Sequence, residues 1–230
     1  MRIDIISAVP DLLFSPLNTS IVKRSQDKGK CEIKVHNLRD YTHDKYRQID
    51  DKPFGGGPGM LLKPEPFFEC IEKLQSERDY DSIIFTTPKG KVFNQSYANK
   101  LSLGKNIIII AGHYKGIDDR VRERFATDEI SIGNFVLSGG ELPALIIADA
   151  VIRLLPGVLN DCGSALDDSL MNDDSVEAPY YTRPAEYKGM NVPEVLLSGH
   201  DKKIAEGKEE QSIELTKKWK KINHNGVDDG

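Results

Sequence analysis

Three kinds of residue in this chain could do chemistry: an adjacent pair of carboxylates, an arginine inside an apolar run, and glycines that recur in short loops. Asp167 and Asp168 stand side by side. A neighbouring like charge raises a carboxylate's pKa toward that of a useful general base, although such a pair also suits a solvated tether. Arg153 interrupts the apolar run 142–155. It either snorkels its guanidinium to the surface or points it into a site. Gly55-Gly56-Gly57-Pro58-Gly59 has no Gly-Lys-Ser/Thr after it and no Gly-x-Gly-x-x-Gly register, which excludes a Walker loop and a dinucleotide fingerprint. What it offers is a backbone that can approach a flat or anionic ligand closely, or simply turn.

Glycines punctuate three further loops, at 87–90, 111–116 and 132–140, and the first two follow runs that read as strands. In open α/β sheets, ligands bind outside the carboxyl ends of the strands. Loops of this kind would line a pocket with backbone N–H and C=O groups, with only Lys89 and Lys115 as cations. That composition suits an adenine or ribose better than a triphosphate. The competing reading is that the glycines only permit tight turns. Ser138 lacks the Gly-x-Ser-x-Gly context of a hydrolase, because position 136 is valine. His36, His43, His113, His200 and His224 have no metal-ligand spacing, and no residue is assigned to a metal. Cys31, Cys70 and Cys162 are an odd, scattered set without Cys-x-x-Cys. They argue against a disulfide framework and a zinc site and for a reducing, cytoplasmic setting.

The elements that must position these residues alternate. Residues 2–9, 31–35, 82–86 and 106–111 read as strands, and 65–77, 95–103 and 141–155 as helices, the last stopped by Pro156-Gly157. Alternation of this kind implies an α/β fold with a mainly parallel sheet. Two long loops interrupt it. One, 39–60, ends in the glycine run. The other, 160–177, holds six acidic residues and no Lys or Arg, and reads as a linker. Beyond it come Tyr180-Tyr181-Thr182-Arg183-Pro184 and a helical pattern from 201 to 221. The lysines at 217, 218, 220 and 221 either satisfy a helix C-terminus or contact phosphates.

A chain of 230 residues allows one large or two unequal domains, and 39% hydrophobic with 29% charged residues fits a folded soluble protein. No apolar stretch nears the ~20 residues that span a membrane, and the N-terminal Met-Arg-Ile-Asp-Ile-Ile reads as a first strand rather than a signal peptide. The net charge is −5, so any contact with nucleic acid must come from local basic patches.

Several stretches together resemble the bacterial tRNA (guanine-N1)-methyltransferases that modify position 37, a knotted SPOUT-type family. They are Asp50-Asp51-Lys52-Pro53-Phe54-Gly55-Gly56-Gly57-Pro58-Gly59-Met60, Gly112-His113-Tyr114-Lys115-Gly116-Ile117-Asp118-Asp119-Arg120-Val121, Ser131-Ile132-Gly133-Asn134-Phe135-Val136-Leu137-Ser138-Gly139-Gly140-Glu141-Leu142-Pro143, Pro156-Gly157-Val158-Leu159, Tyr181-Thr182-Arg183-Pro184 and Pro193-Glu194-Val195-Leu196-Leu197-Ser198-Gly199. The likeness runs in order from residue 1 to about 222.

The resemblance implies a mainly parallel α/β catalytic domain at 1–159 with a deep C-terminal trefoil knot. It further implies an acidic linker at 160–177 that closes over the active site, and a small helical tRNA-binding domain at 178–230. S-adenosylmethionine would lie in the knot loops, against Thr86, Pro88 and Gly90, Gly112 and Tyr114, and Ile132, Gly133, Phe135, Leu137, Gly139, Gly140 and Pro143. By the same likeness Asp168 is the general base and Arg153 stabilises guanine O6. Gly55, Gly56, Gly57 and Gly59 wall the substrate site, Arg183 belongs to the tRNA-holding segment, and the protein is a homodimer with shared active sites acting on the anticodon stem-loop. The chain departs from the family pattern at Lys115 and Asn134, where acidic residues are usual, and at Phe135, where tyrosine is usual. Two rival readings remain: a knotted methyltransferase acting on rRNA or another tRNA base, and an RNA-binding module without catalysis. The 50–60 stretch and Tyr181–Pro184 favour the guanine-37 pattern over the first. The presence of both Asp168 and Arg153 favours an enzyme over the second.

Overall fold

The computed structural model describes residues 1–159 and 175–224. The chain divides into two compact units, Met1–Asn160 and Asp161–Gly230.

The first unit is built on isoleucine. Strand β6 (Asn106–Ala111) carries four in succession, each at most 1% exposed, and β-branched side chains pack well on a pleated surface. It lies between β1 (Arg2–Ser7) and β5 (Ser82–Val92) in a parallel sheet of five strands, with β2 (Glu32–Asn37) and β7 (Asp128–Ser131) at the edges, in the order β2-β1-β6-β5-β7. Successive side chains of a strand point to opposite faces, so β6 feeds two cores. Ile107 and Ile109 join Ile3, Ile5 and Ile84 beneath α1 (Asp11–Leu17), α2 (Ser20–Asp27), α4 (Gln95–Ser102) and α6 (Glu141–Ile152). Ile108 and Ile110 join Ile6, Ile83 and Phe85 beneath α3 (Pro64–Glu77) and α5 (Asp119–Phe125). A small antiparallel pair, β3 (Asp50–Asp51) with β4 (Leu61–Leu62), closes the base of the loop that carries the glycine run.

The mainly parallel α/β architecture agrees with the sequence pattern. Four elements it did not single out are α1, α2, α5 and β7. The three helices are only seven or eight residues long, too few turns for a helical period to stand out, and α1 contains Pro16. Strand β7 opens with Asp128-Glu129 in place of an apolar run. Strand β5 is longer than the expected 82–86. Both Thr86 and Lys91 pair with Ile130, so Thr87-Pro88-Lys89-Gly90 bulges out and the strand then resumes. The last helix of the unit stops at Ile152, short of the expected 155, with Arg153 as its C-cap.

One buried polar cluster anchors the sheet. Asp4, fully buried, accepts Arg2 Nε and Nη2 at 2.8 and 2.7 Å, the Tyr80 hydroxyl at 2.8 Å, and pairs with His36 Nε2 at 2.6 Å. Burial pushes the Asp4 carboxyl up, but hydrogen bonds from His36, Arg2 and Tyr80 outweigh it and hold the group down at about 2.

In the second unit, β8 (Glu186–Tyr187) and β9 (Met190–Asn191) form a hairpin whose turn residues, Lys188 and Gly189, both have positive φ (52° and 78°). Helix α7 (Glu194–Leu197) packs on α8 (Asp201–His224) where Gly207 faces the Val195 side chain. The helical pattern expected at 201–221 is realised in α8. Val176 lies within the stretch read as a linker, yet its N–H donates to Thr216 Oγ1 (2.9 Å) and its carbonyl accepts Ser212 Oγ (2.6 Å) on α8.

Because Asp4 titrates below its unfolded value when folded, its contribution is complete above 3.8 and fades as pH falls toward about 2. That contribution is about 2 kcal/mol. Asp4→Asn, which leaves the buried Arg2 with only the exposed Glu32 carboxylate, is expected to cost about 3 kcal/mol at neutral pH. Urea unfolding of both proteins at about pH 7 and about pH 2.5 checks this: the gap narrows in acid if the ionised carboxylate carries it, and stays constant if it does not.

Candidate functional site

Three strands of the sheet end at the same edge, and their loops converge there. The bulge of β5, the segment after β6 and the segment after β7 enclose a cavity of about 670 Å³, a size that suits a small cofactor. Of the residues expected at a cofactor site, Thr86 and Pro88 line it from β5, and Gly112 and Tyr114 from the loop after β6. Ile132, Gly133, Phe135, Leu137, Gly139, Gly140 and Pro143 line it from the third loop and the start of α6. Gly90 is not among the lining residues. A Cβ there would stand 2.5 Å from the Glu129 carbonyl carbon and 2.6 Å from the Ile130 nitrogen, so this glycine lets β5 return against β7.

The loops are locked backbone to backbone. Gly140 N–H donates to the Gly112 carbonyl at 2.6 Å, and His113 bridges to Gly139. A Cβ on Gly140 would collide with Thr86 Oγ1, lie 2.8 Å from Gly112 N and 2.9 Å from Ala111 Cα, so no other residue fits without moving backbone. Thr86 is fixed in turn by donating to the Ile110 carbonyl at 2.9 Å. Gly133, at φ +146°, sits against the Phe135 ring, which is half exposed over the cavity.

Behind this wall is a carboxylate that sequence reasoning passed over. Glu141, 1% exposed in the first turn of α6, accepts Ser7 Oγ at 2.8 Å and meets His113 Nδ1 at 3.4 Å. The N-terminus of a helix favours negative charge, and Ser7, at the carboxyl end of β1, is itself held by Val9 N–H at 2.9 Å. Glu141 therefore ties β1, the loop after β6 and the start of α6 together. Asp119, Arg122 and Glu129 also line the cavity. Arg122 bridges the two acids, at 2.6 Å to Asp119 and 3.0 Å to Glu129. These were missed because α5, which carries Asp119 and Arg122, is too short to show a helical period, and β7, which carries Glu129, has no apolar signature of its own. Among the described residues no cluster of three or more His, Cys, Asp or Glu side chains could hold a metal ion.

The glycine run lies beside the cavity. Lys115 N–H donates to the Met60 carbonyl (3.1 Å), Leu62 N–H to the Gly116 carbonyl (3.0 Å) and Asp118 N–H to the Leu62 carbonyl (3.0 Å). Gly55, Gly56, Gly57 and Gly59 all have positive φ, from 79° to 108°, a conformation that side-chain-bearing residues rarely adopt. No atom lies within 4 Å of where a Cβ would stand on Gly55 or Gly56, so this wall presents bare backbone.

The remaining expected residues lie elsewhere. Arg153 caps the C-terminal end of α6, whereas the cavity meets its N-terminal end. Thirteen residues of helical rise separate Gly140 from Arg153, roughly 20 Å. Arg183 is exposed in the second unit. Asp167, Asp168 and Cys162 fall outside the described residues.

Comparison with known proteins gives a consistent result. The family model described as tRNA (Guanine-1)-methyltransferase TrmD matches residues 1–222. A protein of Bacteroides thetaiotaomicron named tRNA (guanine-N(1)-)-methyltransferase is 58% identical over 218 residues, 95% of this chain and 96% of that protein. Proteins of the same name from Porphyromonas gingivalis and Chlorobaculum tepidum are 54% and 55% identical, each over at least 94% of both chains. With a family model spanning nearly its whole length and relatives above half identity end to end, the chain belongs to the tRNA (guanine-1)-methyltransferase TrmD family.

Proposed function

We propose that this protein transfers a methyl group from S-adenosylmethionine to N1 of guanine 37 in tRNA, beside the anticodon. The observation that carries the reading is the cavity itself. In a chain of this family, three glycine-bearing loops at the carboxyl ends of parallel strands enclose about 670 Å³. The cofactor fits what is there. Ile132, Phe135, Leu137 and Pro143 offer apolar surface for an adenine, Gly112 and Gly139 offer backbone for its polar edge and ribose, and a Cβ on Gly140 would close the cradle. S-adenosylmethionine would supply an electrophilic methyl on a sulfonium.

The protein's own task is to make guanine N1 nucleophilic. That nitrogen carries a proton and attacks poorly until a base within hydrogen-bond reach removes it. Asp168 takes this role in our reading. As the proton leaves, negative charge develops on O6, and the Arg153 guanidinium stabilises it. The base must be splayed out of its stack to be reached, and the side-chain-free wall at Gly55, Gly56, Gly57 and Gly59 is suited to receive a flat ring. Arg183 lies with Tyr181 in the segment that would help hold the anticodon stem-loop.

A homodimer with shared active sites belongs to the same reading. Within one chain Arg153 and the cavity are at opposite ends of α6, so a single copy cannot bring both to one guanine; a second copy can. Exposed Leu142 and Ile146 on α6, and Phe135 and Val136 on the preceding loop, are apolar surface of the kind an interface covers. The knot is also part of the proposal, supported by Gly140 bonding to the Gly112 carbonyl and lying against Thr86. So are the knotted domain at 1–159, the linker at 160–177 that closes over the site, the tRNA-binding domain at 178–230 and a cytoplasmic location.

Three outcomes are expected. Methyl-labelled S-adenosylmethionine should label an unmodified tRNA transcript with guanines at 36 and 37 and leave the same transcript with adenine at 37 unlabelled; label on both would move the target base. Asp168→Asn and Arg153→Ala should each lower single-turnover methyl transfer by about 100-fold or more while S-adenosylmethionine still binds; a change confined to cofactor affinity would remove those roles. Gly140→Ala should abolish cofactor binding measured by calorimetry, and retained binding would relocate the cofactor.

A further inference from the structure

One cationic side chain belongs to both the glycine wall and the cavity. Lys115 lines the cavity, yet its stem runs along the glycine loop. A Cβ on Gly59 would lie 3.5 Å from Lys115 Cβ and Cδ, and one on Gly57 would lie 3.6 Å from Nζ. The backbone beneath it is fixed by the bonds from Lys115 N–H to Met60 and from Leu62 N–H to Gly116. The ammonium is thereby delivered over Gly57, beside the open space in front of Gly55 and Gly56. Arg122, another cation of the cavity, is committed to Asp119 and Glu129. Among the described residues no carboxylate forms an ion pair with Lys115.

We propose that the Lys115 ammonium binds a backbone phosphate of the RNA whose base is presented to the glycine wall, and so sets the register of that base. The inference rests on the tRNA reading above and deepens it. A glycine wall accepts any flat ring and has no charge with which to position it. Phosphate contacts are what fix register on a nucleic acid, and a base splayed out of its stack brings its own phosphate to the wall. In a chain of net charge −5, a cation held at that point acts locally rather than as part of a general basic field. A carboxylate of the cofactor would satisfy the same ammonium, but Nζ stands over the glycine loop, 3.6 Å from where a Cβ on Gly57 would be.

The test uses the full chain with an unmodified tRNA transcript carrying guanines at 36 and 37. Binding is measured over a salt series for the wild type, Lys115→Gln and Lys115→Arg, with S-adenosylmethionine binding measured separately by calorimetry. Each single-strand phosphate contact contributes about 0.7 to the slope of log Kd against log salt. Lys115→Gln should weaken tRNA binding about 5-fold at low salt and lower that slope by about 0.7, with cofactor affinity within about twofold of wild type; Lys115→Arg should keep the slope. An unchanged slope in Lys115→Gln, or a loss confined to S-adenosylmethionine binding, overturns the proposal while a wild type that methylates the transcript leaves the tRNA reading intact. A wild type that binds no tRNA overturns both.

Discussion

Gly140 lies against Gly112 with 2.6 Å between nitrogen and carbonyl oxygen, and the rest of the site depends on that approach. Two stretches of backbone, one leaving β6 and one entering α6, come this close because residue 140 carries no side chain: a Cβ there would lie 2.8 Å from Gly112 N and 2.9 Å from Ala111 Cα. The contact fixes where α6 begins. It also fixes where Pro143 and the 131–140 loop stand relative to the bulge of β5, because Thr86 occupies the space a side chain at 140 would need. Loops are usually the variable part of a fold. Here the loops after β6 and β7 are bonded to each other, and Thr86 ties the start of the β5 bulge to β6.

Electrostatics reinforces the same junction. Glu141 is buried with a serine hydroxyl and a histidine ring as its partners, at a helix N-terminus whose dipole favours a carboxylate. Its partners come from β1 and from the loop after β6, which makes one side chain the meeting point of three segments far apart in sequence. The Asp4 cluster does comparable work between β1 and β2, where Arg2, His36 and Tyr80 converge on one carboxylate. Two buried carboxylates thus hold β1, Asp4 within the strand and Glu141 through Ser7 at its carboxyl end.

The surface divides by function. Leu142, Ile146 and Val136 are exposed apolar residues on and beside α6. The bare glycine wall and Lys115 face open space nearby. A net negative chain that acts on RNA must confine its attraction to such places, since the global field repels the polyanion.

What the sequence determined by itself was the alternation that implies a parallel α/β sheet, the isoleucine run of β6, the glycine positions that later proved to need positive φ or close approach, and the family. These are local properties: periodicity, β-branching and missing Cβ atoms are written residue by residue. Only the tertiary structure decided that Gly90 serves strand pairing while Gly140 serves the cavity, since both are simply glycines until their neighbours are known. It alone brought Glu141 to Ser7 across 134 residues, put β7 with its acidic start into the sheet, and set Arg153 a helix length away from the loops of the cavity. Contacts between distant segments have no signature in either partner. They follow from how the sheet orders its strands, and that order is fixed by packing the whole chain.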